Sequence, residues 1–503
     1  MSEGERSDGV TLQPARLPID WRKTGILLFG LTVFLAIYFS PPWPAAVDPT
    51  GKAFVLTREG KAAIGLFLMA GIWWVFEVIP IGVTAIAIGV FQAMFFIRPA
   101  KEAFHDFMDP AVMFIFGSIV IGLAFTRSGL TKRIAYKMLA VVGERTDRIL
   151  LGALVITAAL AHLMAHTAVA ATMFPILLAI YALYGVGERP SNFGKALFIG
   201  MAYAAGAGSI VTMLGAARAP AAAAMYEGFT GRHITFFQLT EYMFLIGWGM
   251  VFLIWLYLRA FLKPEKASIP GLRDKVRRLS VAMGPMTLQE KLVIVIVAVL
   301  VLVMSTKSFI PLLAPIDRSA VILTTTLLFF ILGILSVRDL EDIPWNIVLL
   351  FSGAMSIGFC LWNTGAAEWM AVNWLGLLEE AHWWVFVMGI AAFVLIMTNF
   401  IMNVAAIAIV LPVALVIARY LGVAPEVIVY SALVTAGMPY LLLIGAAPNA
   451  IAYDSIAYDS KQFTTGEYFR HGIPLSLILL AVLVLALVTL WPLEGMPILV
   501  NQS

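Results

Sequence analysis

Residues 149–184 read ILLGALVITAALAHLMAHTAVAATMFPILLAIYALY, and residues 384–420 read WVFVMGIAAFVLIMTNFIMNVAAIAIVLPVALVIARY. Each is a single apolar run interrupted near its middle by polar residues. A continuous helix of that length, rising about 1.5 Å per residue, overshoots a hydrocarbon core of about 30 Å. A turn at the polar patch removes the mismatch: the chain enters the bilayer, reverses and leaves by the face it came from. Backbone groups at such a tip need partners at membrane depth, so re-entrant tips persist only inside protein or beside a wet cavity. Two interrupted segments in corresponding positions mark a mid-membrane ligand site.

Working outward, further membrane segments are read near 25–40, 63–79, 82–97, 111–126, 196–225, 236–258, 292–305, 320–336, 345–362, 426–453 and 472–491. The chain is 61% hydrophobic and 13% charged, against about 25% charged residues in soluble domains. A soluble globular protein is excluded on that ground. The net charge of +3 suggests no nucleic-acid partner. Cys360 is the lone cysteine, so no intramolecular disulfide is possible. The first 23 residues are polar and end in Arg22-Lys23. They read as a cytoplasmic tail, not a cleaved signal, in a multi-pass protein of a bacterial inner membrane.

The chain repeats itself. Phe116-Gly117-Ser118 and then Ser128-Gly129 in the first half correspond to Phe351-Ser352-Gly353 and then Thr364-Gly365 in the second, both glycine pairs being 236 residues apart. Pro175 and Pro412, in the interrupted segments, are 237 apart. Charge then orients the copies. Residues 127–148 carry Arg127, Lys132, Arg133, Lys137, Arg145 and Arg148, whereas 363–384 carry no Lys or Arg but Glu368, Glu379 and Glu380. Equivalent segments of opposite basic content belong on opposite faces, which predicts an inverted repeat. The connector 259–291, with eight basic and three acidic residues, reads as the cytoplasmic link; a lipid-binding role for it is the less favoured alternative. The expected division is tail 1–23, first helix and loop 24–60, first repeat 61–258, linker 259–291 and second repeat 292–503.

Three motifs carry a family resemblance. Trp73-Trp74-Val75-Phe76-Glu77-Val78-Ile79-Pro80, with Thr84-Ala85, resembles the second-helix motif of the divalent anion/sodium symporters. Ile343-Pro344-Trp345-Asn346-Ile347-Val348-Leu349-Leu350-Phe351 is similar to their ninth-helix motif, and Gly445-Ala446-Ala447-Pro448-Asn449-Ala450-Ile451 to their broken-helix Thr-Pro-Pro-Asn-Ala-Ile motif. The resemblance spans roughly 60–490 in order. It implies an all-α integral membrane fold of about 11 transmembrane helices plus two re-entrant hairpins, arranged as an inverted-repeat, elevator-type transporter. It also implies a homodimer in the lipid bilayer, and two hairpin tips bearing Ser-Asn-Thr that face two broken helices around sodium ions and a di- or tricarboxylate or sulfate.

This sequence departs from that pattern. The first tip reads Ala165-His166-Thr167, with Ala161 where the family has a serine, and the first helix break reads Gly215-Ala216-Ala217-Arg218. The second tip reads Met402-Asn403-Val404, with Thr398 upstream; Pro448-Asn449 is kept. Sodium is a hard cation that takes oxygen ligands, as the hard divalent ions do. Ala161 and Ala165 offer none from their side chains, while Thr398 and Asn403 leave room for one residual sodium. An ionised Arg218 at the bilayer centre is costly without a partner or a water-filled cavity. Its guanidinium suits a carboxylate or sulfonate through two parallel hydrogen bonds. The alternative is a side chain that reaches out to the headgroups. For His166 the alternative to substrate contact is a neutral ring bonded to a backbone carbonyl. Glu77 reads as the cap of a tight turn, and the tryptophan pairs as interfacial or packing residues.

The expected substrate site is therefore His166, Thr167, Gly215, Ala216 and Arg218 with Asn403, Val404, Ala446, Pro448 and Asn449. The expected function is secondary active transport of a small dianion (dicarboxylate, sulfonate or sulfate), by sodium-independent exchange or proton coupling. Symport with one sodium at Thr398 and Asn403 is the alternative, and an anion channel the third option. No nucleophile, base or metal-ligand spacing suggests an enzyme, and no cofactor is expected.

Overall fold

The structure, a computed structural model, describes residues 20–47, 51–185, 190–307, 309–375, 382–453 and 462–500. Most of the expected N-terminal tail, together with Glu379 and Glu380, lies outside those residues. Among the described residues, nine helices are long and apolar enough to cross a membrane, and four shorter apolar helices accompany them. The only sheet among the described residues pairs Ala46–Val47 with Ala53–Phe54.

Local chemistry sets the helix ends. Capping boxes at Thr235/Gln238, Thr287/Glu290 and Thr464/Glu467 start the helices Phe236–Phe261, Leu288–Thr306 and Thr465–Leu485. In each, the hydroxyl and the longer polar side chain satisfy each other's backbone N–H groups. The helix Arg58–Phe76 ends at Glu77, which takes the left-handed conformation with φ 44° while its N–H donates to the Trp73 carbonyl. The indoles beside it are packing groups: Trp73 Nε1 donates to the Leu27 carbonyl and Trp74 Nε1 to that of Ile81.

Both long apolar runs reverse. The first forms Thr146–Leu160, a turn over 161–165, and His166–Tyr184; the second forms Trp383–Met397, a turn over 398–402, and Asn403–Tyr420. Pro175 and Pro412 lie inside the returning arms. Two further spans are broken: Asn192–Ser209 resumes as Arg218–Thr230, and Pro425–Ala436 resumes, after a short 3-10 turn, as Ala447–Tyr453.

The repeat glycines occupy equivalent places. Gly129 and Gly365 both sit at positive φ, 81° and 71°, and open the helices Leu130–Val142 and Ala366–Leu375. A Cβ there would force a strained left-handed turn. Gly117, on the helix Pro110–Arg127, lies so close to Ile322 of the helix Arg318–Ile331 that a Cβ would approach it to 2.9 Å. Gly353, on the helix Trp345–Asn363, lies as close to Ala85 of the helix Ile81–Met94, at 2.4 Å. Ala85 and Ile322 are themselves 237 residues apart.

The basic stretches do more than signal topology. Arg133, on the amphipathic helix Leu130–Val142, is buried against Glu290 at 2.7 Å and donates to the Gly284 carbonyl at 2.8 Å. Removing one partner of such a buried pair costs about 3–5 kcal/mol. The connector, expected as a linker, contains the helix Leu272–Ala282 and is clamped to the base of the first hairpin: Glu265 accepts from Tyr184 Oη and the Asn192 N–H, and Thr146 donates to the Lys266 carbonyl.

Candidate functional site at the meeting of two hairpin tips and two helix breaks

The two tips and the two breaks converge on one cavity of about 300 Å³. The first tip contributes Ala165, His166, Thr167 and Ala168, and the first break Ala216, Ala217 and Arg218. The second tip contributes Met402, Asn403 and Val404, and the second break Ile444 through Ala447. The facing wall comes from Ser118, Gly122 and Thr126 on the helix Pro110–Arg127, and from Asp342 and Pro344 in the loop before the helix Trp345–Asn363 with Ile347 and Phe351 on that helix.

The sequence explains why the chain breaks and reverses here. Ala165, Ala217 and Met402 precede the helices that start at His166, Arg218 and Asn403, and none of the three supplies a side-chain cap. The positive ends of those helices' dipoles point at the cavity. Only glycine fits where tip and break touch. A Cβ on Gly215 would lie 2.4 Å from the Ala161 carbonyl oxygen, and one on Gly445 would lie 3.0 Å from that of Thr398.

Arg218 dominates the electrostatics. It is 1% exposed and ranks among the largest fully buried side chains of the protein. Its Nη2 donates to Ser209 Oγ at 2.7 Å, while its Nη1 is buried with no hydrogen-bond partner among the described residues. The guanidinium reaches across to the second break, where a Cβ on Gly437 would meet Nη2 at 2.8 Å. This rules out the headgroup-seeking alternative. A buried guanidinium with an unsatisfied N–H, and no ion-pair partner among the described residues, is the setting in which an incoming oxyanion gains most. His166 lines the same space; its backbone N–H donates to the Gly215 carbonyl at 3.1 Å, and its Nδ1 is also buried without a partner.

The expected site residues fall into two groups. His166, Thr167, Ala216, Arg218, Asn403, Val404 and Ala446 line the cavity together. Gly215, Pro448, Asn449 and Thr398 do not. Gly215 packs beneath the tip. Asn449 donates through Nδ2 to the Pro439 and Leu442 carbonyls at 2.8 and 3.2 Å, bracing the second break from behind, and Pro448 is buried beside it. The Thr398 hydroxyl lies 3.0 Å from Asn403 Oδ1 and 3.2 Å from the Ala436 carbonyl oxygen, so three oxygens gather at the second tip.

Several working residues escaped the sequence reading. Asn399 accepts from the Leu441 and Leu442 N–H groups at 2.9 and 3.0 Å and donates to the Leu395 carbonyl at 2.6 Å. His162, 237 residues earlier, places Nδ1 2.8 Å from the Gly208 carbonyl. A shared spacing, polar in both copies, was the available signal. Ser209 and Asp342 gave none: the first is an ordinary hydroxyl at a helix end, and the second reaches the cavity rim from a loop. Asp342 is held there by Arg127, 2.7 Å away.

The comparisons agree with this geometry. The sodium-dependent dicarboxylate transporter SdcS of Staphylococcus saprophyticus is 25% identical over 484 residues, covering 91% of this chain and 89% of that one. The SdcS of Staphylococcus aureus strain NCTC 8325 is 24% identical over the same shares. In fold, the chain is similar to the YdaH transporter of Alcanivorax borkumensis, with a TM-score of 0.58 at 13% identity over 95% of this chain and 98% of that one. It is also similar to MtrF of Neisseria gonorrhoeae, with a TM-score of 0.55 at 14% identity over 92% and 94%. Residues 25–496 match the sodium:sulfate symporter transmembrane region, so the chain belongs to that family of divalent anion/sodium symporters and is a multi-pass membrane transporter, not an enzyme.

Proposed function

We propose that the chain is a secondary active transporter of a small anion, in which Arg218 supplies the positive charge that bound sodium would otherwise bring. The observation that carries this is Nη1 of a fully buried guanidinium, unpartnered at the edge of a cavity formed by four discontinuous elements. The charged group of the substrate, whether carboxylate, sulfonate or sulfate, docks on Arg218 with His166, Thr167 and the helix N-termini beside it. Exchange of one anion for another, or proton coupling through His166, follows from a fixed charge that does not leave with the substrate.

The inverted repeat is supported by the paired contacts Gly117–Ile322 and Gly353–Ala85, which a pseudo-two-fold axis would interchange. With the basic segment 127–148 on the cytoplasmic side, the rim at Thr126 and Asp342 lies towards the cytoplasm and the cavity opens inwards. Alternating access would carry the tips and breaks as one body past the wall that holds Phe351. The divisions at 61–258, 259–291 and 292–503 and the homodimer belong to the same proposal, the dimer on resemblance alone. Symport with a single sodium is the second reading, favoured by the three oxygens around Thr398 and Asn403.

The test is uptake of labelled carboxylates into proteoliposomes, with or without unlabelled anion inside and with sodium and pH varied separately. The expected result is saturable uptake stimulated by internal anion. Arg218→Ala should weaken apparent affinity at least tenfold, about 1.4 kcal/mol, and Arg218→Lys should recover part of it because lysine lacks the planar fork. Wild-type uptake by the alanine variant, or a sodium Hill slope near two, would overturn the proposal. Unsaturable flux without counterflow would point to a channel.

A further inference from the structure

An arginine serves an anion only when its guanidinium is held ready for it, and on the anion-transport reading above Arg218 needs such a holder. Its long side chain would otherwise spread over many rotamers, and that freedom would be lost each time a substrate bound. The residue that meets it is Ser209, the last residue of the helix Asn192–Ser209, fully buried on the other side of the first break. A serine hydroxyl has one proton, and here that proton is committed: Oγ donates to the Gly206 carbonyl at 2.7 Å. Only its lone pairs remain, and Arg218 Nη2 donates into them at 2.7 Å. The donors therefore run one way, from guanidinium to hydroxyl to helix carbonyl.

The second break closes the space around the same nitrogen. A Cβ on Gly437 would lie 2.8 Å from Nη2 and 2.3 Å from Ile210 Cγ2, and one on Gly206 would lie 2.9 Å from the Gly437 carbonyl oxygen. Nη2 is thus seated between a hydroxyl and a position that tolerates no side chain. Nη1 is left unpaired, in a residue that lines the cavity, while Ser209 itself does not line it. We propose that Ser209 is a positioning residue for anion binding: it holds one end of the Arg218 guanidinium in the empty and the loaded protein alike and so reserves the other end for a substrate oxygen. A neutral hydroxyl suits that task. It holds the guanidinium through a charge-assisted hydrogen bond without cancelling the charge that draws the anion, whereas a carboxylate in its place would pair with Arg218 and compete with the substrate.

The experiment is calorimetric titration of the full chain in nanodiscs, with empty nanodiscs as the blank. The probes are succinate, sulfate and methanesulfonate, and the tightest binder is followed through the variants. Ser209→Ala should weaken it at least fivefold, about 1 kcal/mol. Ser209→Cys nearly fills the space of the hydroxyl but accepts hydrogen bonds weakly, so it should stay within twofold of Ser209→Ala. Arg218→Ala should lose at least tenfold, and adding Ser209→Ala to it should change affinity by less than twofold, because nothing is left to hold. Denaturant unfolding of each variant in detergent micelles separates loss of fold from loss of affinity. Should Ser209→Ala not fold, Ser209→Cys replaces it with the same expected loss; should Arg218→Ala bind too weakly to titrate, Ser209→Cys decides alone.

Wild-type affinity in Ser209→Cys would mean that the site needs the volume and not the hydrogen bond, and would overturn the proposal. So would a Ser209→Ala loss that persists in full without Arg218, since the serine would then act independently of the arginine. Wild-type affinity in Ser209→Ala, with Arg218→Ala still impaired, would overturn it and leave the anion reading intact. If no probe binds the folded wild type, or if Arg218→Ala binds as the wild type does, both readings fall together.

Discussion

The two hairpin tips share a backbone plan and differ in what they hold. Each turns over five residues, each starts its returning helix without a side-chain cap, and each presses a carbonyl against a glycine of the neighbouring break. At the second tip, Thr398 and Asn403 point oxygens at each other, and Asn399 ties the tip to the break with two accepted hydrogen bonds. At the first tip the equivalent positions are Ala161, His166 and His162, and the oxygens are gone. A guanidinium from the adjoining break occupies that side of the cavity instead. One tip has side-chain oxygens gathered at Thr398 and Asn403; the other lacks them and lies beside Arg218, which on the proposal above takes the place of a mobile cation. A fixed charge cannot be supplied by a gradient, so the two tips bear directly on how transport is driven.

The largest difference between the tips should be mechanical. Asn399→Ala leaves the Leu441 and Leu442 N–H groups without their acceptor, at a cost of about 1–3 kcal/mol for each buried unsatisfied group. His162→Ala removes one hydrogen bond, to the Gly208 carbonyl, worth about 1 kcal/mol, and an edge-on contact with the Trp248 ring. Denaturant unfolding in detergent micelles should therefore place Asn399→Ala about 2–4 kcal/mol below the wild type and clearly below His162→Ala. Equal losses at both positions would mean that the tips are braced alike and that their difference is confined to the cavity.

A smaller effect tests the exchange of charges itself. Ala161→Thr combined with His166→Asn rebuilds at the first tip the oxygen pair that Thr398 and Asn403 form at the second. With Arg218 still in place the rebuilt tip would hold sodium poorly, because the two cations repel. With Arg218→Ala added, sodium should stimulate uptake by the triple variant, by at least threefold between sodium-free and sodium-rich buffer. Thr398→Ala, made alone, should abolish whatever sodium stimulation the wild type has. A triple variant that remains indifferent to sodium would show that side-chain oxygens at the tip are not what the first half lacks.

Much of this was legible in the sequence. The two interrupted runs gave the hairpins because length against bilayer thickness is decisive, and Gly117, Gly129, Gly353 and Gly365 marked the repeat because close approach and positive φ leave few other residues possible. Arg218 stood out because a charge in an apolar run needs a reason. Residues that work through hydrogen bonds at long sequence separation were not legible. Asn449 kept its motif, yet it turns away from the cavity to brace carbonyls. Arg133 read as one positive charge among several, but it is buried on Glu290, 157 residues away. The cavity's apolar lining was invisible for the same reason: Val404, Ile444 and Phe351 are ordinary membrane residues until the fold brings them to the cavity that Arg218 lines.

The smallest predicted effect lies at the rim, where the repeats differ in charge as the tips differ in ligands. The helix Pro110–Arg127 ends in Arg127, whose Nε lies 2.5 Å from Asp339 and whose Nη2 lies 2.7 Å from Asp342. Its counterpart Trp345–Asn363 ends in Asn363, with no charge to pair. Burial alone would raise the Asp339 carboxyl, but hydrogen bonds from Ser336 and the charge of Arg127 outweigh it and hold the group below the usual carboxylate range. A carboxyl depressed in the folded state adds stability above its unfolded value of about 3.9 and loses it as pH falls through the folded value. Arg127 is about half exposed, so the pair contributes about 1 kcal/mol or less. Asp339→Asn should accordingly lower stability slightly at pH 7, and the difference from wild type should shrink as pH falls below about 3.9. Because Arg127 also fixes Asp342 at the cavity mouth, the same substitution should leave anion affinity within about twofold, a shift of about 0.4 kcal/mol. A tenfold change would mean that the rim, and not only Arg218, sets the field that the substrate meets.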